Sequence, residues 1–149
     1  PTTTTTVAPT TTTTIPTVGT GIIPGSPISI ATNPGTAKVR VYWNGQAANT
    51  LIFIDVCNKS IADPTFNVAF DCAPLSQLTP NGTANGSGNK LVEVFRGEEP
   101  SGDQAWGCYA AGDTAADGYT KSTTCYVRVT NNVGSNNDAD VQVPFTIVG

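Results

Sequence analysis

The chain has 149 residues, of which 38% are hydrophobic, and its 7 Lys+Arg against 11 Asp+Glu give a net charge of -4 with no histidine. Without a basic surface the protein cannot bind a phosphate backbone, which excludes nucleic-acid binding. Without histidine, Ser-His-Asp or Cys-His catalysis and imidazole metal ligation are impossible. No apolar run approaches the roughly 20 residues that span a bilayer, so we predict no membrane span.

The first residues differ in composition from the rest of the chain. Twelve of the 24 threonines fall in residues 1–20, and no charged residue precedes Lys38. The segment repeats with a period of eight, as TTTTTVAP and then TTTTTIPT. Such a segment buries too little apolar surface to fold alone, and its β-branched residues and prolines favour extended or polyproline II conformations. We therefore predict a Thr/Pro-rich extended tail over residues 1–24, followed by one domain over residues 25–149.

The tail has two predicted roles. Hydroxyl-dense tracts punctuated by proline are typical of O-glycosylated stalks, although a plain flexible linker is the simpler alternative. The candidate O-glycosylation sites are Thr2, Thr3, Thr4, Thr5, Thr6, Thr10, Thr11, Thr12, Thr13 and Thr14. In a strand, the even period places Val7 and Ile15 on one face. These two residues are therefore the candidate anchors for assembly with a neighbouring subunit.

Downstream of the tail, the pattern is that of an all-β domain. Residues 38–43 alternate, with Val39, Val41 and Trp43 on one face, as in a half-buried strand. Similar patterns, separated by Gly, Pro and Asn, predict strands at 27–32, 50–57, 66–72, 90–96, 104–110, 124–130 and 141–148. No stretch between them has helical periodicity. Seven or so short strands at this spacing predict an antiparallel β-sandwich.

Four cysteines in a small, acidic, Thr-rich chain indicate an oxidising compartment and two disulfides. Three pairings are possible, and we favour Cys57–Cys72 with Cys108–Cys125, because each closes a loop local to adjacent strands. A Cys57–Cys125 bridge would suit a standard immunoglobulin domain, but the expected tryptophan does not follow Cys57. Zinc held by four thiolates is disfavoured because no C-x-x-C pair is present, so no metal is expected.

Several stretches resemble the neocarzinostatin-type family of actinobacterial secreted proteins. In chain order they are ISIATNPGTAKVRVYWNG, LIFIDVCNKS, FDCAPLSQLTPNGTANGSGNKLVEVFRG, AWGCYAAG, TTCYVRV and VQVPFTIV. The resemblance runs from Ile28 to Val148 and implies an immunoglobulin-like, seven-stranded antiparallel sandwich in a bacterial protein. It also implies two local disulfides with the pairing given above.

Some members of that family shelter an enediyne chromophore in a cleft near the first disulfide. Here Asn58 and Lys59 follow Cys57 where an aromatic residue would be expected, and Tyr126 follows Cys125 in place of a polar amide. We therefore predict no chromophore and no other cofactor.

Other polar groups have both a functional and a structural interpretation. Acidic pairs at Glu98-Glu99, Asp113/Asp117 and Asp138/Asp140 could serve glycoside hydrolysis, and residues 136–140 could bind calcium, but loop acids beside Gly or Pro are more often turn formers. We predict no catalytic residue and no enzyme. Asn58, Asn81 and Asn85 match the N-glycosylation pattern, but in a bacterial chain such matches are mostly coincidence, and Asn81 and Asn85 are ordinary hairpin residues. Tyr109, Tyr119 and Tyr126 could form a sugar-binding platform, but packing in the core or at an edge is the default interpretation.

The leading hypothesis is a secreted or cell-surface structural protein, a self-assembling glycosylated subunit of a filament or surface coat whose tail contacts neighbouring subunits. The alternative is a secreted binding module for a small hydrophobic ligand or a cell-wall polysaccharide. An apolar cleft would favour the binding module, and repeating contacts between identical chains would favour the structural subunit.

Overall fold

The computed structural model describes residues 19–78, 86–131 and 141–149, with the backbone alone for residues 74–78. The regular secondary structure in this part of the chain is nearly all strand, which confirms the all-β prediction. The strands are β1 (Gly21–Ile23), β2 (Ile28–Ser29), β3 (Gly35–Trp43), β4 (Ile52–Cys57), β5 (Cys72–Leu78), β6 (Gly88–Glu98), β7 (Trp106–Cys108), β8 (Thr120–Ser122), β9 (Cys125–Thr130), β10 (Val141–Phe145) and β11 (Ile147–Val148), and a short helix, α1, spans Val68–Asp71.

The strands form two main sheets. The larger sheet has the order β1-β3-β6-β7-β8, and the smaller has the order β10-β9-β4-β5. Pairing is antiparallel throughout both sheets except between β7 and β8. A third, two-stranded sheet pairs β2 with β11 in parallel. In the described ranges, no helix has the length and apolar character that crossing a membrane requires.

The two main sheets pack face to face because alternate residues of their central strands are apolar. Val39 and Val41 of β3 share one buried cluster with Ile54 of β4 and Val127 of β9. Side chains of a strand point alternately to its two faces, so each sheet contributes one apolar face to this core. Burial of these faces is the main source of stability.

Both disulfides are present in the pairing that we favoured from the sequence. Cys57 and Cys72 are direct register partners in β4 and β5 of the smaller sheet. The second disulfide joins Cys108 of β7 to Cys125 of β9 and so ties the larger sheet to the smaller one. All cysteines are therefore paired, which leaves none for a thiolate zinc site.

Three local predictions differ from the structure. The strand expected over residues 66–72 is instead a loop leading into α1, and the strand begins only at Cys72. The strand expected over residues 141–148 divides at Thr146 into β10 and β11, which belong to different sheets. Gly21–Ile23, inside the range assigned to the tail, pairs with Arg40–Tyr42 as β1.

Candidate functional site

A concave site lined by polar and aromatic side chains lies beside the Cys57–Cys72 disulfide. It is a cleft of about 270 Å³ between the end of β4, the helix α1 and the β7–β8 edge. The residues that line it are Asn58, Lys59, Phe70, Asp71, Asp103, Gln104, Ala105, Trp106 and Thr120. Most of these side chains are polar, and Phe70 and Trp106 are aromatic.

Local hydrogen bonds around Asn67 explain why α1 forms here instead of a strand. The Asn67 side chain accepts a hydrogen bond from the backbone N–H of Ala69 at 3.0 Å, as an N-cap does. Asp71 reciprocates, because its Oδ2 accepts from the backbone N–H of Asn67 at 2.7 Å. This reciprocal cap stabilises a single helical turn. In this turn the Phe70 side chain points to solvent, and 70% of the residue is exposed.

A polar pair closes the side of the cleft next to α1. Lys59 Nζ lies 3.1 Å from Asp71 Oδ1, with the aspartate side chain buried and the lysine side chain 37% exposed. The backbone N–H of Asn58 donates to the carbonyl of Asp71 at 2.9 Å. The side-chain oxygen of Asn58 is buried and has no hydrogen-bond partner among the described residues. A ligand donor entering the cleft would satisfy this oxygen.

Gln104 holds the opposite wall in place. Its Nε2 donates to the carbonyls of Ala69 and Cys72, both at 3.0 Å, and its Oε1 accepts from Trp106 Nε1 at 2.6 Å. One amide therefore fixes the loop before β7 to α1 and to the start of β5.

This arrangement is suited to binding. An exposed aromatic ring next to amide, ammonium and carboxylate groups can contact the apolar face of a ligand while polar groups bond to its edge. In the described part of the chain, no group of three potential metal ligands from among His, Cys, Asp and Glu comes together.

Two of the described loop acids, Asp113 and Glu99, act in the framework. Asp113 forms a bidentate ion pair with Arg96, with Oδ1–Nη2 and Oδ2–Nε distances of 2.6 and 2.8 Å. The hydrogen bonds from Arg96 hold the pKa of Asp113 below its usual value. Glu99 Oε1 accepts from the backbone N–H of Ser101 at 2.9 Å, which closes a tight turn. These contacts support the structural interpretation of these loop acids.

Of the three tyrosines considered for a sugar-binding platform, Tyr109 instead packs in the interior, as the default interpretation expected. This residue is 1% exposed, and its hydroxyl donates to Glu98 at 3.3 Å. Burial raises the pKa of its phenol, and the nearby Glu98 carboxylate adds to that shift. Phe70 is instead the exposed aromatic residue of the cleft. Sequence reasoning missed it because the alternation of Phe66, Val68 and Phe70 indicated a strand, although Asn67 as an N-cap could have signalled the helix.

Several predicted site residues lie outside the described residues. These are the anchors Val7 and Ile15, the ten candidate O-glycosylation threonines, the acids Asp138 and Asp140, and the acceptor asparagines Asn81 and Asn85. Asn58, the remaining acceptor match, lines the cleft with its side-chain oxygen buried.

Comparison of the chain with models of protein families, with curated proteins and with solved structures finds no match. The resemblance to the neocarzinostatin type therefore remains a prediction based on the motifs quoted above. Function has to be argued from the geometry of the chain itself.

Proposed function

We propose that this protein is an extracellular structural subunit that assembles through its N-terminal tail into a glycosylated filament or surface coat. The two disulfides fit an oxidising compartment outside the cell. We further propose that the domain is an immunoglobulin-like sandwich, because two largely antiparallel sheets pack over one core and a disulfide links them.

The observation that carries the proposal is the position of β1. This strand follows the Thr-rich repeat of residues 2–17 and lies at an edge of the larger sheet, where, among the described residues, it pairs with three of the nine residues of β3. An incompletely covered edge is a template for another extended chain. The tail is suited to that template because it is uncharged and rich in β-branched residues. Tail and edge are different surfaces, so repeated contacts give a ring or an open filament.

Deletion of residues 1–18 tests this proposal. The full-length chain should sediment as an assembly and form regular fibres or sheets in negative-stain microscopy, and the deletion variant should be monomeric. Far-UV circular dichroism and the unreduced mass of the variant establish that its sandwich and disulfides are intact. Fibres from the deletion variant, or a monomeric full-length chain at high concentration, would contradict the proposal.

A matched variant separates the anchors from the length of the tail. Val7→Thr combined with Ile15→Thr keeps the tail length and its hydroxyl-rich character, but it removes both apolar anchors. We expect assembly to weaken as it does in the deletion variant. Glycosylation is tested by the intact mass of protein from its natural source, which should exceed the 15.3 kDa of the sequence by hexose-type increments.

The cleft supports a second candidate function, a binding module for a polysaccharide. Its exposed Phe70 ring and polar lining fit a sugar better than a wholly apolar ligand. Calorimetry with soluble cell-wall oligosaccharides tests this function. Phe70→Ala should abolish the binding heat, whereas Leu91→Ala, an exposed apolar residue on β6, should leave it unchanged. No heat with the unmodified protein, or equal loss in both variants, would contradict this function.

A further inference from the structure

The edge strand β1 is held to its sheet by few contacts. Among the described residues it pairs with β3 through three register pairs, from Gly21↔Tyr42 to Ile23↔Arg40, whereas β6 pairs with β3 over nine. Of its three residues, only Ile22 belongs to the hydrophobic core. The long β3–β6 ladder does not depend on β1. This strand can therefore leave the sheet without unfolding the rest of the domain.

The place that β1 occupies on β3 is specific for its sequence. Gly21 is buried, and a Cβ there would collide with the ring and hydroxyl of Tyr42. Ile22 lies opposite Val41, and both side chains are buried in the core. The edge of β3 therefore accepts a glycine followed by a large aliphatic residue. A second copy of this chain carries the same two residues in the same order.

The connection after β1 has a short hinge and then a fixed part. The four residues that follow β1 are all exposed, and a Cβ at Gly25 would meet no described atom within 4 Å. From Ser26 onward the chain is fixed, because Ser26 Oγ accepts from the backbone N–H of Thr146 at 2.9 Å. The backbone N–H of Ile28 in turn donates to the carbonyl of Thr146 at 2.8 Å. Pro24 and Gly25 therefore form a hinge about which β1 can swing out while β2 stays paired with β11.

We infer that β1 is exchanged between copies of this chain, so that Gly21–Ile23 of one copy pairs with Arg40–Tyr42 of the next. This inference rests on the proposed function, because it states how the copies of the assembly are joined. In the exchanged state β1 makes the same register pairs and buries the same Ile22 side chain as in its own chain. Exchange of an identical element through a short hinge thus needs no new surface.

Exchange also explains how assembly depends on concentration and on the tail. The chain's own β1 competes for the edge at an effective concentration of roughly millimolar, so exchange should rise with protein concentration. The tail is covalently continuous with β1, so each exchanged strand carries its tail to the neighbouring copy. A copy that gives β1 to one neighbour and receives β1 from another extends a filament, because donor strand and acceptor edge are different surfaces.

Cysteine crosslinking between register partners tests the inference. The native cysteines are all in disulfides, so an added cysteine is a unique thiol. Isotopically labelled Ile23→Cys protein is mixed with unlabelled Arg40→Cys protein, both full length, and the concentrated mixture is oxidised mildly. Register partners of antiparallel strands are close enough for a disulfide. The matched control acceptor is Leu91→Cys, because Leu91 is 47% exposed and lies opposite Arg40 on β6, one strand further from β1.

We expect mass spectrometry to find mixed-isotope links from position 23 to position 40 roughly tenfold or more in excess over links to position 91, because docking raises the effective concentration of the first pair. This excess should vanish at concentrations at which the chain sediments as a monomer. Equal linkage to the two positions at assembling concentrations overturns the inference.

A second measurement locks the strand in place. The double variant Ile23→Cys/Arg40→Cys, oxidised while dilute and monomeric, fixes β1 to its own chain and should remain monomeric on concentration. The double variant Ile23→Ser/Arg40→Ser carries side chains of similar size without the bond and should still assemble. A locked variant that assembles like the unmodified protein contradicts exchange.

The outcomes distinguish this inference from the proposed function. If deletion of residues 1–18 abolishes assembly but the locked variant still assembles, the tail joins the copies without exchange, and only the inference fails. If the deletion variant assembles and keeps its links between positions 23 and 40, exchange holds and the tail-based function fails. If the unmodified chain stays monomeric at every concentration and no mixed-isotope link exceeds the control, both fail.

Discussion

Removing the disulfide that joins the two sheets should cost a large part of the stability of the domain. Cys108 and Cys125 are both buried and 17 residues apart in sequence. The entropy of closing a loop of this length in the unfolded chain corresponds to about 3 kcal/mol at 25 °C. Typical domains are stable by only about 5–15 kcal/mol. The Cys108→Ala/Cys125→Ala variant should therefore fold at 25 °C but unfold at much lower urea concentration.

The other disulfide serves as the matched comparison. Cys57 and Cys72 are 15 residues apart, so loop closure again gives about 3 kcal/mol for the Cys57→Ala/Cys72→Ala variant. The native states should differ, because β4 and β5 keep a ladder of six register pairs, whereas β7 keeps only two pairs with β6. Amide exchange at Gly107 should therefore accelerate only in the variant that lacks Cys108 and Cys125.

Urea unfolding monitored by tryptophan fluorescence measures both losses, because Trp43 and Trp106 are buried in the core. Equal m-values in the two variants indicate that both expose a similar amount of surface on unfolding. A loss below about 1 kcal/mol in either variant would refute the loop-closure reasoning. Faster exchange in β7 of the Cys57/Cys72 variant would refute the structural distinction between the two bridges.

Three further predictions concern single residues. The ion pair with Arg96 lowers the pKa of Asp113, so the stabilisation it gives is present above the unfolded carboxyl pKa of about 3.9 and is lost as pH falls through the lower folded value. Urea midpoints measured across this pH range should therefore fall less in Asp113→Asn than in the unmodified protein. The same pH profile in both proteins would contradict the assignment. Gly86 has a φ of +72°, and a Cβ there would collide with the carbonyl oxygen of Gln46, so Gly86→Ala should destabilise by more than about 1 kcal/mol in urea unfolding. Ile54 is fully buried, so Ile54→Ala should cost about 2–5 kcal/mol, and a cost near zero would place it outside the core.

The central strands could be predicted from the sequence because their pattern is local. The alternating valines of β3 specify which face of that strand is buried, and the apolar run in β4 indicates a central strand, whatever strands lie next to them. The spacing of the cysteines, together with these strands, was enough to favour the pairing that the structure contains.

Elements that depend on a partner could not be predicted in this way. Gly21–Ile23 is a strand because β3 lies beside it, and Thr120–Ser122, which has no apolar residue, is a strand because it pairs with β7. Around Val68 and Phe70, the alternation indicated a strand, but the side chains of Asn67 and Asp71 cap a helical turn. A few capping hydrogen bonds outweigh a weak pattern in so short a segment.

The sequence by itself determined the all-β class, the core faces and the unusual composition of the tail, because these follow from residue type and periodicity along the chain. Only the tertiary structure decided where the cleft and the open edge lie. The cleft brings Asn58, Phe70, Gln104 and Thr120 together from four separate segments. The edge of β3 is incompletely covered because β1 ends at Ile23, opposite Arg40, whereas β3 begins five residues earlier, at Gly35. Strand pairing and sheet packing set both positions, and these are contacts between residues far apart in sequence, which no local pattern encodes.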